Sequence, residues 1–265
     1  MEYRTKKRFG QHFLNDQSVI DQILQAANIC KTDRCVEIGP GLGVLTEYLL
    51  DAAAQVDVFE IDRDLIARLQ QRQDPRLIVH AGDILKANLA TLLTAPPYTL
   101  VANLPYNISS QVVFLLIENR HLFSRMVLMF QKEVGDRLCA QPGCKDYGIL
   151  SVLCQLWFDV EPVVEVSPES FSPPPKVDSL VLLFSPLGAP RVDPIEFGFF
   201  TKVVKAAFTQ RRKQLRNSMM AGNFTREEVD AGLSAAEILP SRRGESLDLS
   251  DFSRLTRALY ALRFP

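Results

Sequence analysis

The chain has 265 residues, 47% of them hydrophobic and 23% charged, close to the averages for soluble globular proteins. That balance excludes a disordered tail, a fibre and a disulfide scaffold, and it suits one large domain with or without a small appendage. The net charge of −1 divides unevenly: residues 200–265 carry 12 Lys and Arg against 7 Asp and Glu, and the remainder carries 18 against 24. A basic C-terminal quarter and a basic extreme N-terminus (Arg4, Lys6, Lys7, Arg8) are either two places to meet a polyanion or ordinary solvated surface.

The longest apolar stretches, 112–117 and 180–184, are far short of the ~18 residues of a membrane span. No apolar segment follows the basic N-terminus, so no secretory leader is expected. Five cysteines without framework spacing fit free thiols in a reducing cytoplasm. The pairs Cys30/Cys35 and Cys139/Cys144 share a spacing wider than that of common zinc knuckles and have no His beside them, so no metal is expected. His80 and His121 read as strand-end and surface residues, and the lack of a heptad or large apolar patch predicts a monomer.

In chain order, 17–29 shows helical spacing, 35–39 reads as a strand, and a glycine-rich turn leads into a helical stretch over 42–54. A second strand is expected at 56–61, a helix at 64–72, and further strands at 77–80, 99–103 and 126–130. Strands separated by helical segments predict parallel βαβ units in an α/β sandwich. Near residue 150 the rhythm changes. The runs 153–166 and 177–184 leave no room for a crossover helix, which predicts antiparallel pairing at one sheet edge. The Pro- and Gly-rich stretch 185–194 reads as a linker. Beyond it 195–208, 226–239 and 249–262 follow helical spacing, giving domains at 1–186 and 187–265.

Two motifs carry chemistry. In VEIGPGLG (36–43), Gly39, Gly41 and Gly43 let backbone approach a ligand at a helix N-terminus, spaced G-x-G-x-G rather than as the dinucleotide fingerprint. Glu60 ends the second strand, where a carboxylate accepts ribose hydroxyl protons. Asp83 after the third strand is placed to bind an adenine amino group. This layout is that of S-adenosylmethionine-dependent methyltransferases. Asn103-Leu104-Pro105-Tyr106 closes the fourth strand in the pattern of enzymes that methylate amino nitrogens conjugated to a ring. An adenine N6 lone pair is delocalised and weakly nucleophilic. The Asn103 side-chain carbonyl and the Leu104 backbone carbonyl can accept both N6–H bonds, Pro105 stiffens the turn, and Tyr106 can stack on a flipped base.

The runs KRFGQHFL (7–14), VEIGPGLG, EIDR (60–63), NLPYNIS, QKEV (131–134), FSPPPKVDS (171–179) and FTQRRK (208–213) occur in that order. Together they resemble the bacterial KsgA-type small-subunit (16S) ribosomal RNA adenine N6,N6-dimethyltransferases of the rRNA adenine dimethylase family. The resemblance implies a Rossmann-like class I methyltransferase with a mostly parallel seven-stranded sheet, helices on both faces, and a small C-terminal helical domain. It implies transfer of four methyls from S-adenosylmethionine to two adjacent adenosines in the 3′-terminal hairpin loop of 16S rRNA, within the immature small subunit.

Cofactor contacts are then expected at His12, Leu14, Gly39, Glu60, Asp83 and Asn103, with Gly41, Gly43, Ile61 and Ile84 beside them. Phe171 would be a second aromatic face on the base, or else a core residue. Lys6, Lys7, Arg8, Arg211, Arg212 and Lys213 would meet RNA phosphates, with Arg216, Arg242 and Arg243 as further candidates. Helical spacing spreads Arg211, Arg212, Lys213 and Arg216 over more than one face, so two of these four are expected to reach RNA. Two rivals stay open: the resistance-type methyltransferases of 23S rRNA, and a non-catalytic small-subunit assembly factor. The resistance enzymes tend to carry Asn-Ile-Pro where this chain has Leu104, and they lack the proline segment in this form.

Overall fold

In the computed structural model, Lys6 and residues 11–264 are described. A short strand β1 (Phe13–Leu14) precedes α1 (Gln17–Ala27), which Asp16 caps by accepting from the Ser18 N–H. Its buried face is Val19, Ile20, Ile23 and Ala27, the i, i+1, i+4, i+8 pattern of an amphipathic helix. Three βα repeats follow: β2 (Arg34–Ile38) with α2 (Val44–Ala52), β3 (Gln55–Glu60) with α3 (Arg63–Gln70), and β4 (Leu77–Ala81) with the single turn α4 (Leu89–Leu92). Next come β5 (Tyr98–Asn103), α5 (Ser109–Glu118), β6 (Phe123–Gln131) and α6 (Lys132–Cys139). The last strands are β7 (Phe158–Val166), β8 (Phe171–Ser172) and β9 (Ser179–Pro186).

The seven-stranded sheet has the order β4-β3-β2-β5-β6-β9-β7. Strands β2 to β6 pair in parallel, and β9 pairs antiparallel with β6. Consecutive units step outward from β2 to β4, then the chain returns to the other side of β2 as β5. That reversal puts a topological switch point at the C-terminal ends of β2 and β5, the place where open α/β sheets bind ligands. A separate two-stranded ribbon pairs β1 with β8, Leu14 opposite Phe171. Nothing in the local pattern of either segment announces that pairing.

Two expectations need correction. The apolar run 153–166 is not one strand: its first residues belong to a helix, α7 (Ile149–Gln155), and β7 begins only at Phe158. Val152, Leu153, Cys154 and Leu156 are all buried, and the two polar residues of α7, Ser151 and Gln155, are spent on the Arg137, Leu138 and Ala140 carbonyls, so the stretch lacks the solvated polar face that marks a helix in sequence. The second correction concerns the domains. Residues up to Asp136 together with Asp159–Pro186 form one unit, while Arg137–Phe158 joins Leu187 onwards in the other. Within that second unit Tyr147 is fully buried edge-on against Phe208, and the Gly143 N–H donates to the Glu245 carbonyl. These contacts claim the 137–158 segment for the helical unit. Its remaining helices are α8 (Phe197–Ala207), α9 (Leu215–Ala221), α10 (Arg226–Ala235) and α11 (Leu249–Arg263), packed around Phe200 and Phe252.

Candidate active site

A cavity of about 190 Å³ opens at the switch point, lined from the ends of β2, β3, β4 and β5 and from residues 11–14. Gly39 and Gly41 hold φ of +69° and +58°, the left-handed conformation that glycine adopts without strain. A Cβ on Gly39 would meet Pro105 Cδ at 3.7 Å, so the glycine turn and the end of β5 touch directly. A Cβ on Gly41 would lie 2.8 Å from the Phe13 ring, which covers the turn.

Three carboxylates, Glu37, Glu60 and Asp83, line this cavity, and no Lys or Arg among the described residues does. Glu60 is buried, and its Oε1 accepts from the Ile61 and Asp62 N–H groups at 2.9 and 2.8 Å. Oε2 takes only a long 3.4 Å contact from the Gly41 N–H, which leaves it as the oxygen open to a ligand hydroxyl. Burial pushes the Glu60 carboxyl above its usual range despite those donors. Asp83 uses Oδ1 to accept from the Leu85 N–H, which leaves Oδ2 for an amino group. Glu37, which the sequence motif contains but does not single out, accepts from Thr46 Oγ1 at 2.6 Å, and burial pushes its carboxyl up to about 7. Such a lining repels a pyrophosphate and suits a ligand that is cationic and carries a ribose and an adenine. S-adenosylmethionine fits that description: Glu60 would hold the ribose and Asp83 the adenine amino group.

The acceptor turn sits beside it. Asn103 Nδ2 donates to the His12 carbonyl at 3.0 Å, which fixes the amide, and Oδ1 accepts from none of the described residues. Leu104 is buried and its N–H donates to the Met129 carbonyl, while nothing among the described residues donates to its own carbonyl. Two free acceptors therefore flank the end of β5. The Tyr106 ring is half-buried, lies 5.7 Å from the His12 ring at an interplanar angle of 24°, and places its hydroxyl 2.7 Å from Ser179 Oγ. The His12 Nδ1 lies 2.8 Å from the Pro173 carbonyl, so that nitrogen carries the proton and donates.

His12, Leu14, Gly39, Gly41, Glu60, Ile61, Asp83, Ile84, Asn103, Leu104, Pro105 and Tyr106 thus converge on one cavity. Gly43 does not: its carbonyl faces the Arg72 guanidinium, and a Cβ there would lie 2.7 Å from Arg72 Nη2. Phe171 is 3% exposed within the apolar core, held there by the β1–β8 ribbon, and does not line the cavity. Lys6 is not a free cation, because its Nζ lies 2.6 Å from both Asp62 and Asp64. Lys7 and Arg8 lie outside the described residues. In the helical unit Arg211 donates to the Lys145 and Tyr147 carbonyls, Arg216 pairs with Asp230, and Arg242 pairs with Asp251. Arg212 and Lys213 are exposed and have no ion-pair partner among the described residues, and Arg243 has a loose contact with Glu245 at 3.8 Å. Sequence reasoning passed over Ser179, whose one signal was its place at the end of the proline segment.

The sequence profile described as "Ribosomal RNA adenine dimethylase" matches residues 2–259. A protein of Syntrophotalea carbinolica named ribosomal RNA small subunit methyltransferase A is 55% identical over 98% of each chain. Its namesake in Pseudomonas aeruginosa is 42% identical, over 98% of this chain and 97% of that one. Among solved structures, a dimethyladenosine transferase from Plasmodium falciparum superposes with a TM-score of 0.78 at 30% identity, covering 92% of this chain and 96% of its own. The 23S rRNA methyltransferase ErmE superposes at 0.67 with 27% identity, covering 93% and 99%. The likeness spans nearly the whole chain, and the chain belongs to the ribosomal RNA adenine dimethylase family.

Proposed function

We propose that this chain dimethylates N6 of two adjacent adenosines in the 3′-terminal hairpin loop of 16S rRNA, using S-adenosylmethionine, as a cytoplasmic monomer acting on the immature small subunit. The single observation that carries this reading is the pair of carbonyl oxygens, Asn103 Oδ1 and Leu104 O, that take no hydrogen bond from the described residues where Asn103 and Leu104 line the cavity. Higher identity to the small-subunit relatives than to ErmE supports 16S over 23S rRNA.

The cofactor supplies, when bound, an electrophilic methyl on a sulfonium. The two carbonyls accept both N6–H bonds of the flipped adenine and favour a pyramidal nitrogen with a localised lone pair. Tyr106 stacks on the base and fixes its plane. As positive charge grows on the nitrogen, the same carbonyl dipoles face it, preorganised by the His12 carbonyl that holds the Asn103 amide. No strong base is needed, since the N–H acidifies only as the new bond forms. Catalysis is then mostly positioning.

Labelled S-adenosylmethionine incubated with unmethylated small and large subunits tests the reading. The expected product is dimethyladenosine in small subunits. Label in large subunits alone would move the chain to the resistance type, and no label with cofactor still bound would leave a binding factor. Asn103→Ala should lower kcat by about a hundredfold, the scale for losing one aligned dipole, with far less effect on the cofactor Kd. Equal losses would make Asn103 chiefly a cofactor ligand.

A further inference from the structure

A stacking platform needs a ring but not a hydroxyl, yet Tyr106 carries one and buries it against Ser179 Oγ at 2.7 Å. Ser179 is 0% exposed and opens β9, in register with Gln131 of β6. The Lys132 N–H donates to the Asp178 carbonyl just before it. The backbone carrying Ser179 is therefore pinned, and its hydroxyl is a fixed point. Burial raises the Tyr106 phenol, so the hydroxyl stays neutral and remains able to share a proton with Ser179. Next to Tyr106 lies the His12 ring, tethered in turn to the Pro173 carbonyl. The proline segment thus touches Tyr106 directly through the Ser179 hydroxyl, and its Pro173 carbonyl holds the His12 ring that packs beside Tyr106.

We propose that Ser179 is a positioning residue for methyl transfer, locking the Tyr106 ring in the plane on which the target adenine stacks. The inference rests on the acceptor role given above to Asn103 and Tyr106. Released from Ser179, the ring keeps its area and its backbone anchor, the Ser109 hydroxyl donating to the Tyr106 carbonyl. What it loses is a defined tilt. A base then binds with the same affinity but is aligned less of the time.

Ser179→Ala and Tyr106→Phe should each lower kcat about three- to tenfold, the range for one neutral hydrogen bond. KM for small subunits and the cofactor Kd should stay close to the parent values, while Tm falls modestly, most in Tyr106→Phe, which leaves the buried Ser179 hydroxyl without its partner. The double variant should lose no more than either single one, because both changes delete the same bond. Asn103→Ala is run alongside. If Ser179→Ala leaves kcat unchanged, or the two losses multiply, while Asn103→Ala is impaired, the Ser179 proposal is overturned alone. If Ser179→Ala shifts Tm and cofactor Kd together with kcat, Ser179 is a structural residue of β9 and the proposal is likewise overturned. Full activity of Asn103→Ala overturns the acceptor reading and this inference with it.

Discussion

Glu37 is a carboxylate that water barely reaches, 2% exposed in a central strand of the parallel sheet and at the cavity wall. Its one close donor among the described residues is Thr46 Oγ1, which does not offset the desolvation that holds its carboxyl up near 7. In the unfolded chain the same group ionises near the ordinary glutamate value, so as pH rises from about 4.5 to about 7 the unfolded state sheds a proton that the folded state retains. Glu37 therefore costs stability progressively across that window, by about 3 kcal/mol once pH exceeds both values. Glu37→Gln keeps an acceptor for Thr46 and removes the charge. Its Tm relative to the parent should rise by several degrees between pH 5 and pH 8 in thermal melts. An equal difference at both pH values would mean that Glu37 ionises freely in the fold.

At the scale of elements, the strand ends were legible and the segment that crosses them was not. Glycines, Glu60, Asp83 and the 103–106 turn each follow a strand, and strand-end chemistry has a local signature that survives without a structure. Residues 11–14 have none, because their partners are far along the chain: His12 meets Asn103, 91 residues on, and Pro173, 161 residues on. Phe171 is ambiguous in sequence for the same reason. An aromatic before a triple proline reads equally as a base platform or a core residue, and only its pairing opposite Leu14 decides for the core. The basic N-terminal run held a similar ambiguity. Lys6 clasps Asp62 and Asp64, and Gln11 reaches Asp62 as well, so these two residues are tied to the start of α3 just beyond Glu60. Lys6→Met should raise the cofactor Kd several-fold by calorimetry at low salt. The gap from the parent should narrow as added salt screens the clasp. A salt-independent defect would point to lost packing instead.

For the whole molecule, the charge division seen in the sequence resolves into a basic helical unit whose cations have mostly found partners. Arg216, Arg242, Arg254 and Arg263 are all ion-paired inside that unit. Arg211 spends its guanidinium on the Lys145 and Tyr147 carbonyls, and one of those belongs to a buried residue. Removing it should lower Tm, because those carbonyls then lack a donor. Arg212 and Lys213 are the exposed pair of the same turn, without an ion-pair partner among the described residues, and are therefore free to meet RNA phosphates. An Arg212→Ala, Lys213→Ala double variant should keep the parent Tm and cofactor Kd while binding small subunits more weakly. Each neutralised phosphate releases a counterion, so the slope of log affinity against log salt should flatten by about 1.5 when two cations no longer reach the RNA. A weaker affinity with an unchanged slope would mean that the pair acts through the fold of its turn, and no loss at all would mark it as solvated surface.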